Sequence, residues 1–277
     1  MADIHWFPGH MKKALNNVEE KIKLVDVIIE ILDARAPNSS INENLTNLIQ
    51  NKKRILVLSK KDLADDAETN KWLDHFKDQH VLSLDLSKPN ISKILSSEVA
   101  KVGKSIWEKQ AKKGMKPQPI KTMIIGIPNV GKSSLINRFA KRSAAGVENK
   151  PGFTRGEQWI KVSKEFILLD TPGILPMNYE NKTKAMNLAL IGSIRDDILP
   201  KEDMCLYLIN YLKDNYPNAL LERFNIPQIV SFEDTISHIC ETRKLMLKGN
   251  IDKDRAMNIL LNEFKNGLLG KITLERL

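Results

Sequence analysis

With only two cysteines in 277 residues, Cys205 and Cys240, the chain has no material for a disulfide framework. The two stand 35 positions apart and form no CxxC pair, so a metal knuckle is not encoded either. Both read as buried or half-buried thiols in a reducing compartment. Long apolar runs are also missing. Val27 to Leu32 is among the longest, and it is far too short to span a bilayer. The N-terminus, MADIHWFPGH, lacks a charged stretch followed by an apolar one and does not read as a secretory signal. Internal repeats and low-complexity tracts are absent. What remains is a composition of 42% hydrophobic and 28% charged residues, ordinary for a soluble protein. The length suffices for two modest domains with a sizeable core.

Acidic residues are scarce in one region only. Residues 101–150 carry 12 Lys and Arg against 2 Asp and Glu, whereas residues 176–277 carry 14 of each. The net charge of +9 therefore sits around one stretch of the chain. Two readings stand. Clustered Lys and Arg in KSIWEKQAKKGMKPQPIK and KRSAAGVENK can displace counterions from a nucleic-acid backbone. Alternatively they are a solvated helix face beside a nucleotide site.

Short apolar runs alternate with helical segments over the first two thirds of the chain. Strands are predicted at 25–32, 54–58, 81–84 and 121–125. Helices are predicted at 11–24, 42–50, 66–77, 90–113 and 132–141. Such alternation predicts a doubly wound, mostly parallel α/β sheet covered on both faces. Segments 156–162 and 165–169, joined by Ser163-Lys164, predict a hairpin and hence one antiparallel edge strand. After residue 175 the pattern turns helical, with segments 181–195, 203–214, 217–224, 233–247 and 252–267 punctuated by Pro200, Pro217, Pro227 and Gly249. The division is drawn as residues 1–177, an α/β domain, and residues 178–277, an all-helical domain.

The stretch GIPNVGKS from Gly126 to Ser133 fits GxxxxGK[ST] and lies between a strand and a helix, the context that motif requires. Its backbone N–H groups and the helix N-terminus suit phosphate. The candidate nucleotide contacts are Asn129, Val130, Gly131, Lys132, Ser133 and Ser134. Lys132 would reach the β- and γ-phosphates, and the Ser133 hydroxyl would ligate Mg²⁺. Asp170-Thr-Pro-Gly173 ends the apolar run EFILLD. There Asp170 can hold the magnesium shell and the Gly173 N–H can face the γ-phosphate. Thr154 in PGFTRG fits the threonine that closes over Mg²⁺.

After the strand RILVL come Ser59, Lys60, Lys61 and Asp62, resembling the guanine-reading NKxD element. A carboxylate at Asp62 accepts from guanine N1–H and the exocyclic amine, a pair that adenine does not offer. Ser59 stands where Asn normally ties the base loop to the P-loop, which predicts weaker nucleotide binding. Ser87 and Lys88 would support the base edge. The order is base site, P-loop, switches, whereas the base site comes last in ordinary GTPases. Because ligand loops gather at the carboxyl ends of the strands, a circular permutation leaves the site intact. It also sends the segment after Gly173 straight into the C-terminal part.

HWFPGHM, LDARAPNSS, SKKD, GIPNVGKSSLINR, PGFTRG and LLDTPGI together resemble the YlqF/RbgA family of circularly permuted GTPases, ribosome biogenesis GTPase A, over residues 1–195. The resemblance implies a bacterial cytoplasmic factor that binds and hydrolyses GTP and acts on the large ribosomal subunit precursor in late maturation, with an rRNA-contacting C-terminal domain. No membrane partner is implied, and a monomer is expected. Asn129 resembles the P-loop Asn of potassium-activated GTPases, which adds K⁺ to GTP/GDP and Mg²⁺ as a cofactor. Ile174 follows DTPG and has no polar atom to orient water. The water-positioning role passes to His10, which the Pro8-Gly9 turn would present. The competing reading is an RNA-binding scaffold that holds GTP as a structural ligand with little turnover.

Overall fold

The computed structural model describes residues 8–144, 159–169, 181–195, 198–226, 231–247 and 249–277. The elements run α1 (Pro8–Ile22), β1 (Val27–Asp33), α2 (Pro37–Ser40), α3 (Glu43–Ile49), β2 (Lys53–Ser59), α4 (Asp66–His75), β3 (His80–Leu84), α5 (Ile91–Lys112), β4 (Ile120–Gly126), α6 (Lys132–Ala144), β5 (Trp159–Lys161) and β6 (Phe166–Leu169). They continue with α7 (Lys182–Leu190), α8 (Lys201–Asn215), α9 (Ala219–Phe224), α10 (Phe232–Thr242), β7 (Met246–Leu247), β8 (Asn250–Ile251) and α11 (Lys253–Lys265).

Six strands form one sheet in the order β3-β2-β1-β4-β6-β5, parallel throughout except for β5, which pairs antiparallel with β6 at the edge. All seven residues of β1 are buried, as a strand covered on both faces requires. Val27, Ile29 and Ile31 face the helices α5 and α6 through Leu95, Val99, Leu135 and Phe139. On the other face Ile28 packs with Val18 and Ile22 of α1 and Leu45 and Ile49 of α3, while Leu32 packs with Trp72 of α4. Glu30 lies between these two clusters, and its Oε2 meets Arg54 Nη2 on the neighbouring strand at 2.5 Å. Burial pushes the Glu30 carboxyl up, and the Arg54 guanidinium offsets part of that.

Among the described residues the predicted strands and helices lie close to the observed ones, although α2 had no predicted counterpart and α7 ends at Leu190 rather than at residue 195; two further differences concern α1 and α10. Pro8 and Gly9 open α1 instead of forming a turn, consistent with the liking of Pro for a first helical position. In the C-terminal part, 233–247 does not stay helical. Lys244 adopts a left-handed backbone (φ 53°), the Leu245 amide closes back on the Cys240 carbonyl, and the chain turns into the exposed β7–β8 hairpin.

The helices of residues 182–265 do not stand apart from the sheet. One continuous apolar cluster runs from Val27, Ile31 and Ile127 to Leu188, Leu208, Leu260 and Phe264. Both cysteines are buried and free. Among the described residues no helix is long and apolar enough to cross a membrane.

Candidate functional site

The sheet reverses direction of winding between β1 and β4, so a crevice opens beyond their carboxyl ends. The P-loop fills one side of it. Gly126 has φ 149°, and a Cβ there would stand 2.4 Å from the Ile31 carbonyl oxygen, so only glycine lets the loop leave β4 against β1. Gly131, at φ 98°, brings the start of α6 against Leu86. Lys132 follows, 4% exposed, and its Nζ donates to the Ile127 carbonyl at 2.5 Å. That is its one hydrogen bond among the described residues. Burial holds its pKa down to about 8. A buried ammonium with two donors to spare is suited to an anionic ligand. Ser133 and Ser134 lie exposed on the first turn of α6.

The base loop leaves β2 beside it. Ser59 is fully buried, and its Oγ lies 2.9 Å from both the Leu32 carbonyl and the Val130 carbonyl of the P-loop. One hydroxyl proton serves one of them at a time. The loop-to-loop tie that the sequence reading expected to be lost with Asn is therefore made by Ser59 itself. Lys60 takes a left-handed backbone (φ 56°), and the Leu63 amide bonds its carbonyl at 2.9 Å, which closes a tight turn carrying Lys61 and Asp62 into solvent. Asp62 has no partner among the described residues. Ser87 and Lys88 reach the same region: Arg138 of α6 donates to their carbonyls at 2.7 and 2.6 Å. Both base-side loops are thus fastened to the P-loop and its helix.

Asn129, also left-handed (φ 61°), donates its side-chain amide to the Gly192 carbonyl, and Ser193 Oγ donates to the Pro128 carbonyl at 3.0 Å. The P-loop tip therefore touches the turn after α7. His10 lies on α1, and its side chain is outside the described residues, as are Thr154, Asp170, Gly173 and Ile174. The basic segment proves to be α5 and its extension, with Lys93, Lys101, Lys104, Lys109, Lys112, Lys113 and Lys116 all exposed.

A second group of residues went unassigned in the sequence. Asp33, at the end of β1, is fully buried and accepts from Arg35 Nε and Nη2 at 3.0 and 2.8 Å. It also accepts from Lys60 Nζ at 2.9 Å. Burial alone would push its carboxyl up; Arg35 and then Lys60 outweigh this and leave it at about 2. Arg35 is 1% exposed and reaches further, to the carbonyls of Ile191 after α7 and Lys265 at the end of α11. The available signal was an Asp and an Arg in LDAR, charged residues at the ligand end of an otherwise apolar strand.

A doubly wound sheet with a P-loop on one side of its crevice and a carboxylate-bearing base loop on the other defines a P-loop guanine-nucleotide-binding protein. Residues 121–241 match a family model described as "50S ribosome-binding GTPase". Ribosome biogenesis GTPase A of Bacillus cereus is 41% identical over 98% of this chain and 93% of its own length. The Bacillus pumilus protein of the same name is 38% identical over 99% and 98%. GDP-bound YlqF, at 24% identity, matches the fold over 94% of this chain and 98% of its own with a TM-score of 0.68. GNP-bound YlqF from Thermotoga maritima gives 0.66 over 95% and 98%. The chain belongs to the ribosome biogenesis GTPase A (YlqF/RbgA) family, GTPases of ribosome assembly.

Proposed function

We propose that the protein hydrolyses GTP in a Mg²⁺-dependent reaction on the precursor of the large ribosomal subunit, late in its maturation and in the cytoplasm. The observation that carries this reading is the buried, under-bonded Lys132 ammonium fastened through Ser59 and Val130 to the loop that bears Asp62, in a chain of this family. Asp62 reads guanine, assisted by Lys60, Lys61, Ser87 and Lys88. Lys132 and the P-loop amides hold the phosphates with Gly173. Ser133, Thr154 and Asp170 serve Mg²⁺. Residues 1–177 act as the GTPase domain, and residues 178–277 contact the ribosomal particle.

The Asn129 side-chain oxygen is left for K⁺ once its amide is committed to Gly192. Hydrolysis should then run faster in K⁺ than in Na⁺; equal rates at matched ionic strength would remove K⁺ from the site. His10 orients or deprotonates the water and is brought into place by the particle.

Sedimentation with large-subunit precursors should show strong association with a non-hydrolysable GTP analogue and weak association with GDP, through contacts that differ between the two states. His10→Ala should still bind GTP and sediment with the particle, yet in a phosphate-release assay lose particle-stimulated turnover by roughly 10²-fold or more. Equal association with both nucleotides defeats the nucleotide-dependent contact with the particle. Full stimulation of His10→Ala returns the water-positioning role to the particle.

A further inference from the structure

The turn that carries Asp62 is held from the far end of the chain. Leu63, the next residue, has its side chain against Gly267: a Cβ at that glycine would stand 2.6 Å from Leu63 Cδ2. The carbonyl of Leu63 accepts from the Ile272 amide at 3.1 Å. Two residues on, the Asp65 amide donates to Thr273 Oγ1 at 3.1 Å, just where Asp65 caps α4. Leu274 turns the other way and donates its amide to the Arg35 carbonyl at 2.6 Å.

The Glu275 carboxylate then accepts from the amides of Asn38 and Ser39 at 2.6 and 2.9 Å, from the Ser39 hydroxyl, and from Asn187 Nδ2 at 3.1 Å. Its backbone carbonyl accepts from Trp72 Nε1 at 2.9 Å. Lys271 and Arg276 flank the segment with ion pairs to Asp66 at 2.7 Å and to the buried Glu68 at 3.1 Å. Six consecutive residues, 271–276, thus each bond to residues 35–39 or 63–72. The first group adjoins Asp33, which holds Lys60; the second adjoins Asp62 directly.

A carboxylate reads guanine only if both oxygens face the base edge, so the shape of the Lys60–Leu63 turn sets specificity. Within that turn the Asp62 carboxylate makes no hydrogen bond or ion pair among the described residues. Its direction is therefore fixed by Leu63 on one side and by Lys60 on the other. We infer that the C-terminal segment 271–276 is a strap that positions the guanine-reading turn, with Thr273 and Glu275 as positioning residues. Guanine affinity is thereby coupled to the docking of the helical part on the sheet.

The coupling is reciprocal: if the strap tightens guanine binding, guanine nucleotide must tighten the strap by the same factor. In the full-length parent protein, hydrogen exchange at the Ile272 and Leu274 amides should slow by about tenfold on saturation with GDP, a factor within the usual range for coupled sites, and much less with ADP. Glu275→Ala and the nearly isosteric Thr273→Val should each weaken GDP binding several-fold and narrow the preference for GDP over ADP, with the melting transition still cooperative.

This inference rests on Asp62 being the base reader, and Asp62→Asn is measured alongside. If Asp62→Asn leaves GDP affinity unchanged, the base-site assignment fails and takes the strap with it. If Asp62→Asn weakens GDP while exchange at Ile272 and Leu274 ignores GDP, the strap alone is overturned. Should Glu275→Ala not fold, the parent exchange measurement and Thr273→Val decide.

Discussion

Lys132 is the residue whose ionisation reports on the site. Its pKa of about 8 belongs to an ammonium desolvated under the P-loop. Phosphate oxygens placed against it favour the charged form, so its pKa rises when nucleotide binds. Between about 8 and that higher value the complex holds a proton that the free protein has released. Binding then takes up a proton, and affinity falls as pH rises above about 8. Below 8 both forms are protonated and the dependence flattens. Calorimetric GDP titrations from pH 7 to 9, in buffers of different ionisation enthalpy, should show this uptake. Lys132→Ala should bind weakly throughout and lose the slope, which separates the lysine from ionisation of the base. A parent affinity that is flat across this range would show that Lys132 does not face phosphate.

At the level of elements, the long basic helix α5 offers a distinct test. Lys104, Lys109 and Lys112 are exposed on α5, and none of their ammonium groups has a hydrogen-bond or ion-pair partner among the described residues. Replacing all three by Glu should change stability little, since exposed substitutions usually stay within about 0.5 kcal/mol each. If α5 lies along rRNA, association with the large-subunit precursor should weaken and its salt dependence should flatten by up to about one unit of log–log slope per lost phosphate contact. Unchanged association over a salt series would leave α5 as a solvated face.

The elements also show what the sequence could reveal. VIIEIL, RILVL and TMIIG are apolar without alternation because both faces of those strands are covered, so β1, β2 and β4 were legible. The GIPNVGKS and SKKD loops could be located in the sequence, at the ends of β4 and β2, because the chemistry proposed for them demands fixed residue types at fixed spacing. The β7–β8 hairpin was not, since Met246 and Leu247 are 59% and 58% exposed and leave no burial pattern to read. The role of LDARAPNSS was hidden for another reason. Its partners Asn187, Ile191, Lys265 and Glu275 lie about 150 to 240 positions away, and no local pattern encodes a contact at that distance. Ser59 shows the converse: the motif departure was visible, but only packing shows that a shorter side chain reaches Val130 from a fully buried position.

For the whole molecule, Arg35 is the point where sheet and helices are joined. Its guanidinium binds the buried Asp33 at the ligand end of β1 and donates to carbonyls at the ends of two C-terminal elements. A cation there also suits the negative ends of those helical segments. Arg35→Ala would leave the buried Asp33 with Lys60 as its one neighbouring cation, beside the residue-35 backbone amide, and would withdraw the guanidinium from the Ile191 and Lys265 carbonyls. Breaking a buried pair in this way costs about 3–5 kcal/mol. The loss falls on the junction, although the apolar cluster still runs across it. With Trp72, which donates to the Glu275 carbonyl, replaced by Phe in both proteins, the remaining tryptophans Trp6, Trp107 and Trp159 all precede residue 178, and their fluorescence follows the α/β part. Helical circular dichroism follows both parts. In the parent, urea transitions by the two probes should coincide, as one cooperative unit requires. In Arg35→Ala both should shift to lower urea, and the dichroism transition should broaden and separate from the fluorescence one as the helical part releases first. If the variant loses stability with the probes still coincident, the shared apolar core and the bonds of residues 271–276 hold the two parts together without the Arg35 side chain. If the parent itself shows two transitions, the parts fold independently and Arg35 does not join them.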